Sequence, residues 1–265
     1  MPDKIPINIV NHAGSSGKVY PEYFARFYDL IYHQLRDEVD NKFYLDRIKE
    51  TKGKILEIGV GTGRLFMQGL ETNADIYGID ISPSMLEVLR EKLPHGQQGR
   101  ISLQNIIDFK LDTKFDLVIA PFRVFMHLTE KDEQLKSLNN IYRHLNQGGK
   151  FIFDVFVPDL KPLINGLENV VDFEGEYEPG KRVKRMVSTK PDLINQVINI
   201  TFRLEWNDNE SNYTQEWITP LRFFFRYELE HLVERSLFKV CKISGDFIGN
   251  DLNTDSKEFI IKCQK

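Results

Sequence analysis

The 265-residue sequence has only two cysteines, Cys241 and Cys263. They show neither CxxC nor metal-ligand spacing, and each falls inside an apparent strand. They are read as reduced, packed thiols, which suits a reducing cytoplasm and not a disulfide-built secreted domain. No stretch approaches the ~18 consecutive apolar residues of a membrane helix. Met1-Pro2-Asp3-Lys4 has no apolar run behind it, so no signal peptide is expected and the chain is assigned to the cytoplasm. Positive charge is not in excess: 35 Lys and Arg face 39 Asp and Glu, a net charge of -4. A nucleic-acid binder shows a basic footprint, so this balance argues against a polyanionic partner. There is no internal repeat, no low-complexity tract and no readable catalytic triad or metal cluster.

What is present is the composition of an ordinary globular protein, 41% hydrophobic and 28% charged. The length allows one large domain, or a domain with a subdomain. Residues 1–19 read as irregular, with Gly14, Ser15, Ser16 and Gly17 close together. Residues 21–35 have helical spacing, with Phe24, Phe27, Tyr28 and Ile31 on one face and Pro21 at the start. A second helix is expected from about 40 to 50, ending at Lys52-Gly53.

A regular alternation follows. Residues 54–58, 75–79, 101–103, 115–120 and 150–157 read as short buried strands. Residues 64–70, 82–93 and 130–145 read as helices between them, with Ser82 as N-cap before Pro83. Buried strands alternating with helices imply a doubly wound parallel sheet. After Pro158 the texture changes to strand formers and turn signals. Ile194, Ile198, Ile200, Phe202, Leu204 and Trp206 alternate with Asn195, Asn199, Thr201, Arg203 and Glu205, which predicts one buried and one wet face. A turn at 207–211 and a return over 213–219 complete an antiparallel sheet, inserted at 168–225. Helix 226–236 and strands 238–244 and 259–263 close the chain. The predicted domains are therefore 1–167 with 226–265, and the insert 168–225.

The chemistry concentrates at two strand ends. Leu56-Glu57-Ile58-Gly59-Val60-Gly61-Thr62-Gly63 places glycines at a strand-to-helix turn, where the missing Cβ lets backbone approach a ligand. The spacing is GxGxG. The dinucleotide fingerprint GxGxxG would need glycine where Arg64 stands, and Glu57 occupies a position normally apolar in that fold. The second strand ends at Asp80, an acid able to accept both hydroxyls of a ribose. Ile81 follows directly, ready to cover an adenine face, and a helix starts at Pro83.

The ordered set ILEIGVGTGRL, YGIDISPSML, FDLVIAPF and HLNQGGKFIFDVF, over roughly residues 54–157, resembles the class I S-adenosylmethionine-dependent methyltransferases. The resemblance implies a Rossmann-like seven-stranded sheet whose last strand is antiparallel, with an N-terminal helical cover. The cofactor S-adenosylmethionine would lie across the carboxyl ends of the first strands. It implies Gly59, Gly61 and Gly63 near the methionine part, Glu57 orienting it, and Asp80 on the ribose. Ile81, Met85, Ile106 and Ala120 would complete the cofactor site. The family often has Gly-Asp after the third strand; here Asn105 stands at the acid position, and its amide oxygen can accept from the adenine amine, with Asp108 the alternative.

The run from Tyr20 to Leu30 is similar to the N-terminal segment of amino-sugar N-methyltransferases, which also carry a histidine after the fourth strand, matching His127, and a strand-rich insert. The resemblance implies tyrosine hydroxyls of Tyr20 and Tyr28 near the methionine carboxylate or acceptor. His127 would act as base or substrate partner. Each also has a plain packing reading. Arg123, at the rim after the fourth strand, is the candidate contact to an acidic acceptor. Lys181, Arg182, Lys184 and Arg185 read as a charged edge strand or as an anion-binding surface.

The predicted function is methyl transfer to a small-molecule acceptor by in-line displacement, with alignment as the main task. A non-catalytic cofactor-binding module and a nucleotide-dependent oxidoreductase are the alternatives. The insert is expected either to roof the acceptor pocket or to form a homodimer contact.

Overall fold

A computed structural model describes residues 17–35, 38–208 and 211–265. The irregular reading of residues 1–16 and the turn positions Asn209 and Glu210 lie outside the described residues. The described residues form two compact units, residues 38–158 with 222–265, and residues 17–35 with 159–221.

The first of these, the sheet domain, carries a seven-stranded sheet. Its strands are β1 (Ile55–Ile58), β2 (Ile76–Asp80), β3 (Ile101–Leu103), β4 (Phe115–Ala120), β5 (Leu145–Phe156), and, from the far end of the chain, β10 (Val240–Ser244) and β11 (Glu258–Gln264). The order is β10-β11-β5-β4-β1-β2-β3. β1 runs parallel to β2 and β4, β4 to β5, and β2 to β3; β11 is antiparallel to β5. This is the Rossmann-like arrangement the motifs implied, including the antiparallel last strand. All four residues of β1 are buried, as helices on both faces of a parallel sheet require. The helices are α2 (Val39–Glu50), α3 (Phe66–Glu71), α4 (Pro83–Lys92), α5 (Lys131–His144) and α7 (Arg226–Arg235). Strand order reverses on passing from β2-β3 to β4-β5, so the crevice at a topological switch point opens between the carboxyl ends of β1 and β4.

The other unit is built on a meander, β6 (Leu167–Glu178), β7 (Lys181–Asp192), β8 (Val197–Asp208) and β9 (Ser211–Arg222), with α1 (Glu22–Leu35) and the short α6 (Leu160–Asn165). α1 buries Phe24, Phe27 and Ile31. The Phe24 ring lies 5.2 Å from Phe202 and 5.0 Å from Trp217, and Phe27 lies 5.5 Å from Trp206. Aromatic pairs of this kind contribute about 0.5–1.5 kcal/mol each beyond their area burial. Packing places α1 in one compact unit with the antiparallel sheet.

Two sequence expectations need correction in this unit. Ile194 is 94% exposed, because the alternation it seemed to begin is interrupted by a turn at Asp192, whose carboxylate accepts from Asn195. β7 is an inner strand and not a charged edge: Arg185 is 2% exposed and makes a two-pronged ion pair with Asp172. The two cysteines are free and directly opposite each other on β10 and β11 of the sheet domain.

Candidate functional site

The glycine loop leaves β1 by exploiting positive φ. Gly59, Gly61 and Gly63 have φ of +72°, +55° and +87°. A Cβ at Gly59 would stand 2.4 Å from Val124 Cγ2, and one at Gly63 would stand 2.3 Å from Leu89 Cδ1. Both glycines are therefore demanded by protein neighbours as well as by φ. Gly61 differs, since a Cβ there would meet nothing nearer than the Gly59 carbonyl at 3.9 Å. The loop presents bare backbone to open space at that residue.

Asp80 ties this loop to the end of β2. Its Oδ2 accepts from the Gly61 N–H at 2.8 Å and its Oδ1 from the Ser82 N–H at 2.8 Å. Ser82 holds the N-cap position of α4, but its side chain makes no capping bond. The carboxylate keeps acceptor capacity beyond these backbone bonds. Burial raises the Asp80 carboxyl above its ordinary value, opposed by the backbone N–H groups of Ser82, Gly61 and Ile81.

Glu57 is 1% exposed, between Gly78 on β2 and Ile119 on β4. Its Oε2 is buried without a hydrogen-bond partner. Burial pushes its carboxyl well above the usual carboxylate range; Arg64 opposes this and Asp80 adds to it. Two buried acids, both pushed up and one with an orphaned oxygen, make a site that gains by receiving a cation or hydrogen-bond donors.

Most of the other predicted residues lie in the same domain, at or just after the ends of β2, β3 and β4, with Met85 in the first turn of α4. Ile81 and Ile106 are half-buried, Met85 and Ala120 fully buried. Asn105 Oδ1 accepts from the Ile107 N–H at 3.1 Å, which shapes the loop after β3 and leaves one acceptor position. His127 ends a 3-10 turn, Val124–His127, that starts just past β4. Arg123 does not extend freely to solvent: its Nη2 donates to Glu258 Oε1 at 2.6 Å, and its guanidinium lies 5.3 Å from the Phe156 ring. Tyr20 and Tyr28 belong to the other unit, where their rings meet edge-on at 5.9 Å and Tyr20 lies 4.5 Å from Trp217.

Sequence reasoning missed Asp154 and Tyr44. Asp154, 1% exposed on β5, accepts from the Tyr44 hydroxyl at 2.6 Å and from the Phe122 and Arg123 N–H groups at 2.9 and 3.1 Å. Phe122 and Arg123 are both left-handed, with φ of 58° and 68°. The only local signal was an aspartate in the middle of an apolar strand, Phe153-Asp154-Val155, where a buried charge needs partners.

Comparison with known proteins agrees with this geometry. Residues 56–151 match the family model described as a methyltransferase domain. An uncharacterized methyltransferase of Bacillus cereus is 32% identical over 134 residues, 51% of this chain and 55% of that protein. The chain thus spans about half the length of the curated relatives it matches. Among solved structures, an S-adenosylmethionine-dependent methyltransferase from Clostridium acetobutylicum superposes with a TM-score of 0.71 at 18% identity, covering 91% of this chain and 97% of its own. The sugar N-methyltransferase KedS8 from a Streptoalloteichus species gives 0.70 at 18% identity, covering 95% and 98%. The fold is the Rossmann-like methyltransferase fold, accompanied by a separate antiparallel sheet.

Proposed function

We propose that this chain binds S-adenosylmethionine at the carboxyl ends of β1 and β2 and transfers its methyl group to a small-molecule acceptor. The observation that carries the reading is the orphaned Glu57 Oε2, buried beside a glycine loop whose central glycine faces open space. Glu57 takes the methionine ammonium, the Gly59–Gly63 backbone lies along the methionine part, and Asp80 takes the ribose hydroxyls. Ile81, Met85, Ile106 and Ala120 form the apolar surround of the base, and Asn105 offers its remaining acceptor position to the adenine amine.

When bound, the cofactor supplies a methyl carbon on a sulfonium, already a strong donor. The protein's task is then alignment of a nucleophile at about 3–3.5 Å, worth up to ~7–11 kcal/mol in well-oriented systems. His127 is assigned to hold or orient the acceptor and not to act as an indispensable base. Arg123 reaches an anionic acceptor only by giving up Glu258. Tyr20 and Tyr28 are assigned supporting roles, tested by Tyr→Phe variants of the intact chain. Sugar N-methylation by KedS8 makes amino sugars the first acceptor panel.

The test is calorimetry with S-adenosylmethionine, followed by an acceptor screen that reads S-adenosylhomocysteine. Binding and turnover with a small amine or sugar support the reading. Absence of S-adenosylmethionine binding in the folded protein would sink it, and binding with no turnover on any acceptor would leave a cofactor-binding module.

A further inference from the structure

Phe122 and Arg123 occupy the left-handed region in succession, directly after Pro121 closes β4. Neither is glycine, and each such residue costs roughly 1–2 kcal/mol over ordinary backbone. Strain of this kind persists only where the surroundings over-determine it. Central to those surroundings is one carboxylate. Asp154 receives both N–H groups of the strained pair, and the Tyr44 hydroxyl from α2 fixes it from the other side. Successive N–H groups of a turn make an anion-binding concavity, and here the anion is the built-in carboxylate of Asp154. Burial and then the Asp154 charge hold the Tyr44 hydroxyl well above its ordinary pKa, so Tyr44 stays a donor.

The strained pair is joined to the glycine loop twice. Val124, the next residue, packs where a Cβ on Gly59 would otherwise lie. The Phe122 ring lies 3.8 Å beneath the guanidinium of Arg64, which immediately follows Gly63. The same turn continues to His127. A carboxylate on β5 is thereby coupled to the loop on β1 without touching it.

We infer that Asp154 is a positioning residue: it locks the strained turn after β4, and through Val124 and Phe122 that turn sets the shape of the glycine loop. The inference rests on the proposed S-adenosylmethionine site. Calorimetry with S-adenosylmethionine as the probe tests it in a double-mutant cycle of Asp154→Ala and Arg123→Gly. Asp154→Ala alone weakens binding about tenfold. Glycine accepts positive φ without strain, so in the Arg123→Gly background the same change costs less than about threefold. Asp154→Asn, which keeps the volume, follows the same pattern. Should the Asp154 variants fold only when Arg123 is glycine, that suppression itself supports the role. Unchanged affinity in folded Asp154→Ala, equal losses in both backgrounds, or a fold lost in both backgrounds overturns it. Wild-type protein that does not bind the probe overturns the function proposal instead, so the two failures are distinct.

Discussion

Replacing Glu57 by glutamine separates what helps the free protein from what helps binding. In the free protein Glu57 is buried and its Oε2 has no partner. Its pKa in the folded state stands well above the ordinary 4.5, mainly through burial. The folded state therefore binds the proton more tightly than the unfolded state. The stability this confers is complete below pH 4.5 and is lost as pH rises through the folded pKa. As pH rises above 4.5 the group becomes a net burden on the free fold. Glutamine removes the charge while keeping the shape. An unsatisfied buried charged acceptor costs about 1–3 kcal/mol or more, and for a chain of this size each kcal/mol moves Tm by about 2–4 °C. Glu57→Gln should thus raise the Tm of the free protein by a few degrees at pH 7–8, with the gain shrinking toward pH 5. The same change removes a charge-assisted bond to the methionine ammonium, worth about 1.5–3 kcal/mol, so affinity falls roughly 10- to 150-fold. Scanning calorimetry across pH and titration calorimetry with S-adenosylmethionine read the two effects. Wild-type affinity should also rise with pH until Glu57 is ionised, and Glu57→Gln should flatten that dependence. A variant with lower Tm and unchanged affinity would refute the reasoning.

Asp80→Ala should weaken S-adenosylmethionine binding by about 2–4 kcal/mol in titration calorimetry, because it removes a charged acceptor and frees the Gly61 and Ser82 N–H groups together. Gly59→Ala and Gly61→Ala should diverge: the first overlaps Val124 and lowers Tm strongly, whereas the second folds with a loss of about 1–2 kcal/mol and mainly damages binding. Equal Tm losses for the two, with equal affinities, would remove the distinction. His127→Asn should lower kcat on the best acceptor found by less than the ~10²–10⁴ of a lost general base, and a larger drop with binding intact would make His127 that base.

The parts of the site that were legible in the sequence are those fixed by local chain geometry. A strand, three glycines and a helix start define a turn within eight residues, and the acid at the end of the next strand is read the same way. Asp154 was not legible because its purpose lies in the φ of Phe122 and Arg123, 32 and 31 residues away in sequence. Nothing in the residue types Phe and Arg announces left-handed backbone. The Arg123–Glu258 pair spans 135 positions and is equally invisible to motif reading. Ile194 misled for a different reason. Its spacing continues the alternation of β8, but Asp192 and Asn195 close a turn by side-chain hydrogen bonds, which periodicity does not register. Likewise, four basic residues within five positions read as a solvated edge, while Asp172, 13 positions before Arg185, draws that side chain inward.

α1 is made well before the sheet it packs against. Phe24 finds its partners Phe202 and Trp217 only after 178 and 193 further residues have been translated. At about 5–20 residues per second, the helix waits on the order of ten seconds or more with its apolar stripe uncovered. Over that interval β1 to β5 of the sheet domain are already available to pair. The growing chain therefore carries an early, exposed amphipathic segment that chaperones can recognise. Variants that weaken β8 or β9 should expose that segment for longer and lower yield in cells, even where the purified protein is stable.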